Sequence, residues 1–263
     1  MDAGSGVCNI AVSQNGKRVV GGTSDGWVTV WNAKNHEKVT RFHAHSDWVR
    51  AVDVSPDGTR IATGSKDKTA CVWSLSTGKR LLGPLEHDNW VTAAKFSPDG
   101  CLIAAATRKR HSLRIYDSQD GRLVVDFPVE VNSTFNQSLA WACDGEQLFA
   151  LSLNGDIHCL DVYARTTHSK WPIHSSQNAR CIALTGNNTV IAASAGSSVS
   201  FWDTTTCEQI GSVIEFTHDI WSMAISVNYD LLISGDKLAS FRSLCDMLPP
   251  PYLDDVSALR SKI

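Results

Sequence analysis

The hydrophobic pattern along this chain is that of short strands. In Val49–Val54, VRAVDV, Val52 and Val54 point one way and Ala51 and Asp53 the other, a period of two rather than the 3.6 of a helix. Two further apolar runs follow, RIATGS (60–65) and TACVW (69–73). A Pro-Asp-Gly turn separates the first pair, and Lys66-Asp67-Lys68 separates the second. The unit His45–Trp73 therefore predicts three antiparallel strands joined by tight turns, with a His at its head and a Trp at its close.

The rest of the chain repeats this unit. The first turn recurs as SQNG (13–16), SPDG (55–58), SPDG (97–100), ACDG (142–145), TGNN (185–188) and SVNY (226–229). The last residues of these turns are 42, 42, 45, 43 and 41 apart. The third strand closes at Trp31, Trp73, Tyr116, Leu160 and Trp202, spaced 42, 43, 44 and 42. Two independent markers keeping one period identify a repeat protein. A hairpin loop of this kind ends in a left-handed residue, which Gly16, Gly58, Gly100 and Gly145 adopt without a Cβ penalty; Asn188 is the next best choice and Tyr229 a poor one. A fourth strand follows each close, at Lys38–Phe42, Arg80–Leu85, Arg122–Phe127 and Gln209–Phe216.

The period near 42, the leading His, the Pro-Asp-Gly turn and the terminal aromatic with Asp after it (Trp202-Asp203, and Tyr116-Asp117 as a variant) resemble WD repeats. The resemblance spans about residues 7 to 245 and is clearest in the second and third copies. It implies an all-β fold, a WD-repeat β-propeller of six visible blades of four-stranded antiparallel sheet. The copies run about 7–42, 43–85, 86–127, 128–171, 172–216 and 217–245. In the last copy the Trp position falls on Leu244 or Phe241, depending on turn length. Seven blades is the commonest count in this family, so two readings remain: a closed six-blade ring, or a seven-blade ring that lacks one blade. An open ring exposes sheet edges and predicts marginal stability or self-association. The tail, 246–263, holds three consecutive prolines and then DDVSALRSKI, where Val256, Leu259 and Ile263 share one face of a short amphipathic helix.

Composition narrows the function. The net charge of −3 and pI near 6.3 argue against a dedicated nucleic-acid binder. No apolar run approaches the roughly 18 residues of a membrane helix, and MDAGSGVCNI lacks the charged and apolar regions of a secretory signal. Eight cysteines, none in CxxC spacing and most in or beside apolar runs, predict free and mostly buried thiols and a cytoplasmic or nuclear location. His43 and His45 form an HxH with no third ligand nearby, and the Gly-rich pieces lack the lysine of a phosphate loop, so neither a metal nor a cofactor is expected.

His45, Thr63 or Ser65, Asp67 and Trp73 look at first like a catalytic triad. In the family this chain resembles, that set is a structural hydrogen-bond network, and the other copies carry it incompletely. No nucleophile elbow accompanies it. The candidate binding residues lie instead at the starts of the first strands: Trp48, Arg50, Trp90, Thr92, Phe135, Gln137, Arg180 and Trp221. The basic cluster containing Arg108 and Arg110 falls in the turn between the second and third strands, which a propeller opens on the same end. Aromatic and Arg residues at one mouth are the composition of an interaction hot spot. The expectation is a non-catalytic scaffold that grips a protein or peptide segment, an acidic one where the arginines make contact. The alternatives are a truncated propeller that works only within a larger assembly, and a propeller enzyme.

Overall fold

The computed structural model describes residues 4–107, 113–131, 138–152, 154–173, 179–185, 188–225, 231–235 and 241–243. The chain divides into two units, Met1–Asn136 and Gln137–Ile263. The predicted C-terminal helix, Cys245 and the basic cluster at 108–111 lie outside the described residues.

Unit 1 holds three four-stranded antiparallel meanders. The first is β1 (Val7–Val12), β2 (Arg18–Thr23), β3 (Trp27–Asn32) and β4 (Lys38–His43). The second is β5 (Val49–Val54), β6 (Arg60–Ser65), β7 (Thr69–Ser74) and β8 (Arg80–Glu86). The third is β9 (Val91–Phe96), β10 (Leu102–Thr107), β11 (Leu113–Asp117) and β12 (Leu123–Phe127). Unit 2 holds two more four-stranded meanders: β13 (Leu139–Trp141), β14 (Gln147–Leu151), β15 (Asp156–Asp161) and β16 (Thr166–Pro172), then β17 (Ala179–Leu184), β18 (Val190–Ala195), β19 (Ser198–Asp203) and β20 (Gln209–Glu215). A last sheet has three described strands, β21 (Ser222–Ile225), β22 (Leu231–Gly235) and β23 (Phe241–Ser243). These are propeller-type blades, five with the expected four strands and a sixth with three among the described residues. Among the described residues there is no helix long and apolar enough to cross a membrane.

The turns behave as their chemistry demands. Gly16, Gly58, Gly100 and Gly145 all have φ between 66° and 75°, and Asn188 takes φ 62°. In the last sheet Leu232 pairs with Arg242, as Ile61 pairs with Trp73. The closing position is therefore Arg242, which lies between Phe241 and Leu244, the two that the repeat count offered.

Blades within unit 1 interlock by one rule. The first strands of the first two blades carry a bulge after their first residue, between Val7 and Asn9 in β1 and between Val49 and Ala51 in β5. The bulge restores Val49 to the same face as Val52 and Val54. That face packs into the preceding blade against Val20, Val28 and Val30. A Cβ at Gly22 would sit 2.6 Å from Val49 Cγ1, and one at Gly64 would sit 2.6 Å from Val91 Cγ1, so the missing side chains make room for the next blade's valine. The Phe96 N–H donates to Asp53 Oδ2 at 2.9 Å and ties the second blade to the third. Arg60 donates to Gly100 O and Ser118 Oγ, each at 2.9 Å.

Candidate binding face

The polar set of the second blade closes into one chain of bonds. Thr63 on β6 lies between two partners: the Trp73 indole N–H donates to its Oγ1 at 2.8 Å, and His45 Nε2 lies 2.7 Å away. His45 Nδ1 lies 2.9 Å from Asp67 Oδ2, and Thr69 donates to Asp67 Oδ1 at 2.7 Å. The Asp67 bond has one possible direction. A carboxylate can only accept, so His45 carries a hydrogen on Nδ1. Burial would raise the Asp67 carboxyl, but the bonds from His45 and Thr69 outweigh it and hold it well below the usual carboxylate range. Ser65 plays a separate part, accepting from the Asp67 N–H and donating to Asp47 O. Thr69 belongs to the network although the repeat pattern does not mark it. The Thr63 hydroxyl is fully buried inside the blade, so no substrate reaches it as a nucleophile.

The other described blades show why the second is the complete one. Gly21 stands where Thr63 does, and the Trp31 ring packs over it, with a Cβ there only 2.9 Å from the ring. The Trp31 indole N–H is buried without a partner. In the third blade Ala105 takes the Thr63 position, and the Tyr116 hydroxyl lies 3.4 Å from His87 Nε2. Burial, with Arg114 nearby, pushes the His87 imidazole down to about 4. In unit 2, Trp202 donates to Ser200 at 2.8 Å instead.

Outward from the network, unit 1 presents an aromatic and basic cluster. Asp47 Oδ1 accepts the Trp48 N–H at 2.7 Å and Asn89 Oδ1 accepts the Trp90 N–H at 2.8 Å, so the two Trp residues start their strands alike. Trp48 is 42% exposed. The Lys66 N–H donates to Trp48 O at 3.0 Å, which fixes the β6–β7 turn beside the start of β5. The Lys66 ammonium then lies 5.2 Å from the Trp48 ring and 4.8 Å from the Trp90 ring. Arg50 approaches the Trp48 ring at 6.0 Å. Lys66 sits in none of the ion pairs among the described residues. Cation–π contacts of this kind contribute about 0.5–2 kcal/mol each and orient the cation.

The bulges explain the arginines. Arg50 and Arg180 are the extra residues of β5 and β17, and a bulge re-aims its side chain. Thr92 holds the same place in β9, but it is buried, with its hydroxyl toward Ala106 O, and so leaves the predicted face. In unit 2, Arg180 lies 3.9 Å from the Trp221 ring and 2.9 Å from Asp219 Oδ2. Trp221 is 47% exposed. The predicted residues Phe135, Gln137, Arg108 and Arg110 lie outside the described residues. Sequence reading missed Lys66, whose signal was its place beside Asp67 in the turn that faces the strand starts. Three described cysteines, Cys71, Cys159 and Cys181, are buried, whereas Cys101 and Cys143 are exposed at turns; all seven described cysteines are free. The expectation of mostly buried thiols therefore holds for these three, while Cys8 on β1 and Cys207 are half-buried and the two at turns are covered by no blade.

Four-stranded antiparallel sheets repeated at one period, each closed by an aromatic in unit 1, define a blade-repeat protein of the propeller class. Residues 2–32, 36–74 and 79–117 match the model of the WD domain, G-beta repeat family, and these three stretches are WD repeats. The matches are staggered against the blades of unit 1: 2–32 holds β1 to β3, 36–74 holds β4 to β7, and 79–117 holds β8 to β11. No curated protein matches the chain. WD repeats generally act as protein–protein interaction scaffolds and are typically non-enzymatic.

Proposed function

We propose that this protein is a non-catalytic interaction module whose unit 1 grips an acidic segment of a protein partner with Trp48, Arg50, Lys66 and Trp90. The observation that carries this reading is the Lys66 ammonium between two indole faces. The rings hold the cation in place without using its N–H donors, and a partner carboxylate can take them. Trp48 supplies exposed aromatic surface, and Trp and Arg are the residue types that dominate interface energetics. Arg50 adds a planar guanidinium beside the same ring.

Acidic and charge-neutralised peptides, the latter with Gln and Asn in place of Glu and Asp, are presented on an array to the wild type and to two variants. The wild type is expected to retain acidic peptides. Lys66→Gln weakens capture about tenfold, and Arg50→Ala with Trp90→Ala abolishes it while circular dichroism and the melting temperature stay near wild type. Capture of acidic peptides by the double variant at wild-type strength would remove this face from the function. Equal capture of the neutral peptides would remove the acidic preference.

A further inference from the structure

The blade-to-blade rule of unit 1 has one unmet half. Val7, Ile10 and Val12 occupy in β1 the register positions that Val49, Val52 and Val54 occupy in β5. The β5 residues are 0%, 1% and 9% exposed, because the preceding blade covers them. The β1 residues are 50%, 64% and 57% exposed. Three branched apolar side chains thus line one pleated face, shaped by the same bulge, at positions that are buried one blade later.

We propose that this face docks the last sheet of a second copy of the chain. A complementary surface must offer a gap for Val7, as Gly22 does for Val49 and Gly64 for Val91. Both of those gaps are filled. The remaining glycine at that register position among the described residues is Gly235 on β22, which pairs with Ser222 as Gly64 pairs with Ala51. The contact continues an interlock that the fold already makes twice, and the surface it covers is apolar. It joins two different surfaces, so it is head-to-tail: each copy keeps one face of each kind free, and association continues with concentration.

Sedimentation velocity of the full chain, from low to high micromolar, tests this. The wild type is expected to rise above the 28.6 kDa of one chain as concentration increases. Val7→Asp with Ile10→Asp places two charges on an exposed face and weakens association about 100-fold or more, with the melting temperature unchanged. Gly235→Val fills the opposing gap and does the same. A mixture of the two variants then has one intact face of each kind, and forms a dimer that grows no further. A wild type that stays at one chain's mass throughout overturns the proposal. So does a β1 double variant that associates as the wild type does, or a Gly235→Val chain that still polymerises.

Discussion

His87 makes the stability of unit 1 depend on pH in a window where few other groups titrate. Its imidazole is buried against the Tyr116 ring, with centroids 5.7 Å apart, and desolvation plus Arg114 lower it from 6.5 to about 4. In the unfolded chain it binds a proton near pH 6.5. Between these values the unfolded state holds more protons than the native one, so stability falls as pH falls. The contribution is intact above pH 6.5 and lost progressively down to about 4. The full difference is worth about 3.4 kcal/mol, of which about 2 kcal/mol is gone by pH 5. Carboxylates with unfolded values near 4 contribute mainly below that. The assay is amide hydrogen exchange at Ile103–Ala106 of β10, corrected for intrinsic rates, at pH 7.5 and pH 5. His87→Phe keeps an aromatic ring and removes the titration. The wild type is expected to lose about 2 kcal/mol more than the variant over this interval. His158, also lowered by burial and by Lys170, lies in unit 2 and is common to both proteins, so it cancels in the comparison. Parallel losses in the two proteins would refute the idea that burial keeps His87 neutral.

Two further predictions concern the second blade. Thr63→Val strands the Trp73 indole N–H and His45 Nε2 in a buried site and should cost about 2–4 kcal/mol in urea unfolding, whereas Thr63→Ser keeps both bonds and costs about 1 kcal/mol. Asp67→Asn should lower stability at pH 7 and flatten the acid limb. The depressed carboxyl contributes stability that is present above about pH 3.9 and is lost as pH falls through its lower folded value, so a variant with the wild-type slope below pH 4 would contradict its role.

The blade architecture was legible because two local signals share one period. The left-handed turn residue and the closing aromatic are each set by short-range geometry, and neither depends on the rest of the fold. The network in the second blade was legible for the same reason: its members lie within one hairpin repeat. What the pattern did not show depends on neighbours across space. Thr92 aligns with Arg50, yet its side chain turns inward to the Ala106 carbonyl, because a short hydroxyl in a bulge satisfies itself on the adjacent strand and a long guanidinium cannot. The exposure of Val7, Ile10 and Val12 was equally hidden. Their sequence is as apolar as that of β5, and only the missing cover distinguishes them.

The turn between β6 and β7 joins the blade's stability to its binding face. Adjacent residues there play opposite roles. Asp67 points back into the blade, where His45, Thr69 and the Ser46 N–H all reach its carboxylate. Lys66 points along the rim, held by its backbone bond to Trp48 O and by two indole faces. The network therefore does more than secure one sheet. By fixing Asp67 it fixes the backbone from which Lys66 projects, at the side chain and at the main chain at once. An exposed lysine normally loses about 1.5–2 kcal/mol of rotamer freedom when a partner orders it. Here part of that ordering is already complete in the free protein, which would lower the cost of gripping the acidic partner proposed for this turn.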